Sequence, residues 1–281
     1  MNRRTILYVL NTKTLDQDIA SMVEKAAAQK AHLLCLLVDA GPPLPTYAYG
    51  VPPYGAVNLP DDWVELVREV ENRQHARVDA VEQLLAKSNV SGQVLATLAA
   101  TMDVKHQVAR CARVSDEAVL ADNLRDAPEF LREAASGVLF HSPIGFQINV
   151  AADPSPSCVF VAWDSSEAAS ASVHAALPYL KEARDVVIGC IDPVMRIDRD
   201  GQDPGTDVAN WLSHHGCSVT VSQFPSGGRP IAECILSHAK EAGAGLVVMG
   251  AYGRARVVQT VFGGTTRSMM EQTDLPVFLA H

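Results

Sequence analysis

The sequence predicts an α/β protein built as a tandem repeat, each half a doubly wound parallel sheet with helices on both faces. Three observations carry that expectation. The chain has 281 residues, and at a soft prior of roughly 150 per domain that is about two domains. A short apolar run followed by a helical pattern occurs near the start and again just past the middle. Matching landmarks in the two halves also stand at one constant spacing.

The elements follow in order. Thr5-Ile-Leu-Tyr-Val-Leu10 is a continuous apolar run of strand length, and Leu15, Ile19, Met22, Val23 and Ala26 then recur on one face of a helix. A second buried-looking strand, His32 to Val38, ends at Asp39. The middle of the chain holds Asp153-Pro154-Ser155-Pro156-Ser157, which reads as a linker. Beyond it the pattern restarts with Cys158-Val-Phe-Val-Ala-Trp163, an alanine-rich helix over Ala168 to Leu180, and a strand over Val186 to Ile191 that ends at Asp192. Asn11 to Asp164 and Asp39 to Asp192 are both 153 positions, which argues for an internal repeat.

Gly92 and Gly216 open the expected third strands at a spacing of 124, so the first half carries 153 − 124 = 29 extra residues after its second strand. These include Gly41 to Pro60, with six of the sixteen prolines and three of the six tyrosines. That segment reads as a surface loop packed by its own aromatics, or as a cover for a pocket or partner. Fourth strands follow at Ala118 to Ala121 and Leu246 to Met249. Alternating strands and helices of these lengths give parallel sheets. The expected domains are 1–152 and 153–281.

Composition narrows the function. Hydrophobic residues are 48% and charged residues 20%, too apolar for a disordered chain. The formal charge is 23 − 32 = −9, which disfavours nucleic acid and acidic membranes as partners. No apolar run approaches the roughly 20 residues of a membrane span, and Thr5 to Leu10 after Arg3-Arg4 is too short for a signal peptide. Six scattered cysteines form no CxxC pair, which fits a reducing, cytoplasmic setting.

The most informative stretch runs from Val247 to Arg267. Gly250 ends the fourth strand, Gly253 follows three residues later, and Gly263 comes after nine more. Gly264, Thr265 and Thr266 then open a helix through Met269 and Met270. Glycines at strand ends let backbone N–H groups approach a phosphate closely, and a Gly-Gly-Thr-Thr helix start adds free donors, hydroxyls and the positive end of the dipole. The bland alternative is tight turns and a helix cap alone. The stretch is neither a Walker A loop nor GxGxxG.

This segment resembles the Gly-x2-Gly-x9-Gly-Ser/Thr signature of the universal stress protein family. Val159-Phe-Val-Ala-Trp-Asp-Ser-Ser166 resembles that family's first strand and aspartate, Ala232 to Met249 its third helix and fourth strand, and Asp274-Leu-Pro-Val-Phe-Leu279 its closing strand. The resemblance covers the whole chain and is stronger in the second half. It implies a five-stranded sheet of order 3-2-1-4-5 in each half, as in adenine nucleotide alpha hydrolase-like folds. It also implies homodimer or pseudo-dimer pairing through the fifth strands and, in one subclass, ATP binding with Mg2+.

Carried over residue by residue, the resemblance puts Asp164 on the adenosine and the Cys190 backbone in the adenine pocket. Met249, Gly250 and Gly253 would follow the ribose and phosphates, and Gly263, Gly264, Thr265 and Thr266 would hold the phosphate chain. Gly264 departs from the signature, which asks for Ser or Thr there. Asp164 also has a plain reading as a turn residue or helix cap.

The first half shows Asn11 in the place of Asp164. At a spacing of 128, Asp122 and Arg125 stand where Gly250 and Gly253 would be, and the glycine cradle is absent. One ATP per chain is therefore expected. Ser226-Gly227-Gly228 reads as a turn, His214-His215 as a solvated helix end, and Cys217 and Cys234 as core residues; no GxSxG is present. Arg254 and Arg256 read equally well as solvated charges or as phosphate neutralisers. The leading function is an ATP-binding regulatory, stress-response protein with no catalytic residue. A slow ATPase or nucleotide hydrolase, and a dimeric scaffold without nucleotide, are the alternatives.

Overall fold

A computed structural model describes residues 4–43, 61–150, 156–196, 201–252 and 263–281. Residues 44–60 of the proline- and tyrosine-rich segment, Asp153 to Ser155 of the linker, and Gly253, Arg254 and Arg256 lie outside the described residues.

The first half runs β1 (Thr5–Leu10), α1 (Asp16–Ala28), β2 (His32–Ala40), α2 (Asp61–Lys87), β3 (Gly92–Ala99), α3 (Val104–Ala112), β4 (Glu117–Leu120), α4 (Pro128–His141) and β5 (Phe146–Ile148). The second runs β6 (Cys158–Ala162), α5 (Glu167–Ala175), α6 (Leu177–Glu182), β7 (Asp185–Ile191), α7 (Thr206–His214), β8 (Val219–Phe224), α8 (Ile231–Glu241), β9 (Leu246–Gly250), α9 (Gly264–Glu271) and β10 (Val277–Ala280). β1, β4, β9 and β10 are almost wholly buried, as parallel strands covered on both faces must be.

Both halves have the strand order 3-2-1-4-5, but they do not stay separate sheets. β5 and β10 pair antiparallel, with Phe278 opposite Gln147, and join everything into one ten-stranded sheet of order β3-β2-β1-β4-β5-β10-β9-β6-β7-β8. Each closing strand would otherwise leave a row of unpaired backbone groups. One apolar core then runs from β1 and β2 through Phe146 and Ile148 into Ile235, Met249, Met269 and Leu279. A second core, with Tyr179, Leu180, Val208 and Leu212, fills the α5–α6–α7 face of the second half.

Several elements differ from the sequence reading. Leu15 sits outside α1 at its N-cap and is 63% exposed, so the buried face begins at Ile19. The alanine-rich helix is two helices, broken at Ala176; Pro178 lies in the first turn of α6, where its missing N–H is harmless. Gly216 does not open β8. At φ +87° it ends α7, with the Cys217 N–H donating to the Leu212 carbonyl, and the strand starts at Val219. The extra length of the first half is partly helical, since α2 has 27 residues where α7 has 9.

The ladders also correct the spacing of the fourth strands. Val9 pairs with Leu120 and Ala162 with Met249, a spacing of 249 − 120 = 129. Ala121, not Asp122, therefore stands at the place of Gly250. The expected fourth strand started at Ala118, whereas β4 starts one residue earlier, at Glu117. Its side chain is fully buried, and Arg4 and Tyr179 hydrogen-bond its carboxylate.

Candidate functional site

In the second half the strand order reverses at β6, which has β7 on one side and β9 on the other. Crevices outside the carboxyl ends of strands at such a reversal bind ligands. A cavity of about 400 Å³ opens at this point. Its floor is the ends of the three strands, with Trp163 and Asp164 after β6, Ile191 and Asp192 at β7, and Met249 and Gly250 at β9. Ile231 and Ile235, one turn apart on α8, make an apolar wall. Gly263 to Thr266, the start of α9, complete the lining.

Asp164 does two things here. It lines the cavity, and its Oδ1 accepts from the Ser166 hydroxyl (2.6 Å) and the Ser166 N–H (3.2 Å). Ser166 in turn caps α5 by accepting from the Ala169 N–H. The turn reading of Asp164 is thus observed, without removing it from the cavity wall. Asp192, with φ +46°, accepts from the Ser226 N–H at 2.9 Å. The Ser226 hydroxyl, then its N–H, hold the Asp192 carboxyl below the usual carboxylate range. Ser226 to Gly228 form a turn, with Arg229 N–H donating to the Ser226 carbonyl and both glycines at positive φ.

Two of the nine expected site residues are not found in the cavity wall. Cys190 is 1% exposed and belongs to the core on the far side of the sheet; its neighbours Gly189 and Ile191 line the cavity instead. Alternate residues of a strand face opposite sides, so the Cys190 side chain points away from the cavity, while the contact expected of it was through the backbone. Gly253 lies outside the described residues. Gly250 has a packing reason to be glycine: a Cβ there would stand 2.4 Å from the Ala169 N and 2.5 Å from the Ala168 carbonyl carbon. Gly263 and Gly264 differ. Among the described residues a Cβ on either meets nothing within 4 Å, so no packing demands their bareness. Among the described residues no side-chain cap bond is made at the start of α9, whose first residues line the cavity. Thr266 is buried, and Thr265 is half-buried.

Sequence reasoning missed the apolar wall of Ile231 and Ile235, and also Tyr252. Their signals were a pair four apart on the helix before β9, and an aromatic just past Gly250. Among the described residues, no group of three or more metal-ligating side chains comes together, and no helix is long and apolar enough to cross a membrane.

In the first half the same strand ends are tied up by the chain itself. Asn11 Oδ1 accepts from Asn123 Nδ2 (2.9 Å) and the Lys13 N–H, and the Thr14 hydroxyl donates to Asn123 Oδ1. Asp39 accepts from the N–H and hydroxyl of Thr12 and from Gln74 Nε2. Gln74 is buried and reaches in from α2, whose extra length brings it over the strand ends.

The other residues singled out in the sequence find plain roles. His215 packs edge-on against Trp211 (4.4 Å) at the end of α7, and Cys217 and Cys234 are buried, with burial pushing the Cys217 thiol up.

Fold and site together place the chain in a structural class, doubly wound α/β proteins of two like halves with a strand-end cavity in the second. The fold is that of the universal stress proteins. A protein of Pseudomonas aeruginosa UCBPP-PA14 assigned to them shares it over 99% of this chain and 93% of its own, with TM-score 0.59 and 13% identity. A functionally unknown protein of P. aeruginosa PAO1 matches over 99% and 92%, with TM-score 0.57 and 14% identity. No family model and no curated protein matches the sequence.

Proposed function

We propose that the second half binds one adenine nucleotide, ATP with Mg2+, and that the protein is a nucleotide-responsive regulator of the universal stress type. One observation carries the reading: a cavity of about 400 Å³ at the strand-order reversal, lined by a helix start whose two glycines have no packing neighbour at the Cβ position among the described residues. Small-molecule pockets span roughly 300–1,000 Å³. The Ile231 and Ile235 wall suits a flat base, Asp164 suits a ribose hydroxyl, and the N–H groups from Gly264 onward suit phosphates. Mg2+ would arrive on the phosphates, since it keeps most of its waters and needs few protein ligands.

Hydrolysis is the weaker reading. Both carboxylates in the wall are already engaged: Asp164 Oδ1 accepts from Ser166, and Ser226 holds the Asp192 carboxyl below the usual carboxylate range. The pairing of β5 with β10 favours the pseudo-dimer over a homodimer built through those strands. The burial of all six cysteines fits the cytoplasm.

Calorimetric titration with Mg-ATP tests the reading and should give about one site per chain, with slow or no phosphate release. No binding at millimolar ATP would leave the scaffold alternative. Two equivalent sites would refute the asymmetry between the halves. Steady turnover abolished by Asp164→Ala would establish the hydrolase.

A further inference from the structure

The segment that replaces the glycine cradle in the first half grips the second half's site from behind. Asp122 to Asp126 form a 3-10 turn after β4, and Arg125 reaches from it across to α9. Its Nε donates to the Met270 carbonyl at 2.8 Å and its Nη2 to Asn149 Oδ1 at 2.5 Å. Asn149, at φ +57° just after β5, donates its Nδ2 to the carbonyls of Gln272 (2.8 Å) and Leu275 (3.0 Å). Asp122 Oδ1 holds both partners, accepting from the Asn149 N–H (3.0 Å) and Arg125 Nη1 (3.2 Å). The Arg125 side chain is only 14% exposed. The last carbonyls of α9 are therefore bound by first-half groups, and a cation sits at the negative end of its dipole.

The opposite end of α9 is the cavity mouth. α9 has eight residues, about 12 Å of rigid helix between clasp and cavity. Its core contacts, Met269 and Met270, are buried but belong to a flexible residue type that tolerates sliding. A second first-half contact reaches the wall itself: the Tyr252 ring, which lines the cavity, packs on Phe140 of α4 with centroids 4.7 Å apart.

We infer that Arg125 and Asn149 are positioning residues for the nucleotide site, setting the axial position of α9 and so the affinity for the phosphate chain. The inference rests on the nucleotide reading above and adds that the half without a site tunes the half with one. Hydrogen bonds weaken steeply with misplacement, so a small slide of α9 costs phosphate contacts and spares the base. Coupling is reciprocal, so bound ATP must also tighten the clasp.

The experiment measures binding of Mg-ATP and of adenosine to the full chain and to Arg125→Ala, Asn149→Gly and Arg125→Lys, with circular dichroism to confirm folding. Arg125→Ala and Asn149→Gly should weaken ATP about tenfold and adenosine less than about twofold, within the range of coupling known between sites. Arg125→Lys, which keeps one donor and the charge, should recover part of the loss. If Arg125→Ala does not fold, hydrogen exchange on the wild type carries the test: ATP should slow exchange at residues 122–127 and 271–275, and adenosine should not. Equal losses for ATP and adenosine, no loss, or no ATP effect on those amides would overturn the inference while leaving the binding reading intact. A wild type that binds neither ligand would overturn both, and shows itself in the first titration.

Discussion

Tyr179 on α6 of the second half donates its hydroxyl to Glu117 Oε2 on β4 of the first, at 2.5 Å. Arg4 donates to the same oxygen at 3.0 Å. Lys25 donates to Gln147 and lies 5.8 Å from the centre of the Tyr179 ring. Burial is the main force lowering the Lys25 ammonium's pKa, and Glu117 opposes it; burial likewise raises the Tyr179 phenol's pKa. Both bonds to this unexposed carboxylate fall on Oε2, while Oε1 is buried without a hydrogen-bond partner, so the charge leans on Arg4 and on a phenol that belongs to the other half. Tyr179→Phe should therefore destabilise the whole chain by about 1.5–3 kcal/mol, the usual worth of a hydrogen bond to a charged group. Urea unfolding would measure it, and a variant as stable as the wild type would show that the bond does not tie the halves.

Gly250→Ala tests the packing role of that glycine. The added methyl would collide with the backbone of α5 at Ala168 and Ala169, which cannot rotate away. Overpacking of this kind costs typically about 1–3 kcal/mol, so the unfolding midpoint should fall. Gly264→Ala, with nothing near its Cβ, should leave stability within about 1 kcal/mol of the wild type, because alanine suits a helix better. Its effect should appear in ATP affinity instead. Loss of stability in both variants would make the two glycines equivalent.

Gln74→Ala should weaken the first half without opening a second site. It removes the amide that bonds Asp39 and the Thr97 carbonyl, leaving a partly buried acceptor unpaired at a cost of about 1–3 kcal/mol. Thr12 still holds Asp39, and Asn11, Thr14 and Asn123 still bond one another. ATP stoichiometry should stay at one. A rise toward two in this variant would show that α2 alone closes the first half.

Asp192 predicts an acid-side effect. Its carboxyl is held below its ordinary value of 3.8 by Ser226, so the unfolded chain takes up the proton first as pH falls. The stability from this contact is present above the ordinary value and is lost as pH drops through the lower, folded value. The gap in melting temperature between wild type and Asp192→Asn should be constant from neutral pH to about 5 and close below about 4. A gap that widens on acidification would reverse the assignment.

The sequence by itself determined the parallel α/β class, the matching strand and helix patterns of the two halves and the glycine segment, because each rests on local pattern. Apolar runs mark β1 and β6, a constant spacing of 153 ties Asn11 to Asp164, and the glycines before α9 need no partner to be recognised. The tertiary structure decided what depends on contacts far apart in the chain. That β5 meets β10, that Glu117 lies inside a strand, and that the Cys190 side chain faces away from the cavity all follow from ladder register and strand parity. Register is set by hydrogen bonds between segments more than a hundred residues apart, such as Val277 with Ile148, and no local spacing records them. For the same reason Asp122 and Arg125 read in sequence as a lost phosphate cradle. Only the packed halves give them their place, at the back of the helix whose front faces the cavity.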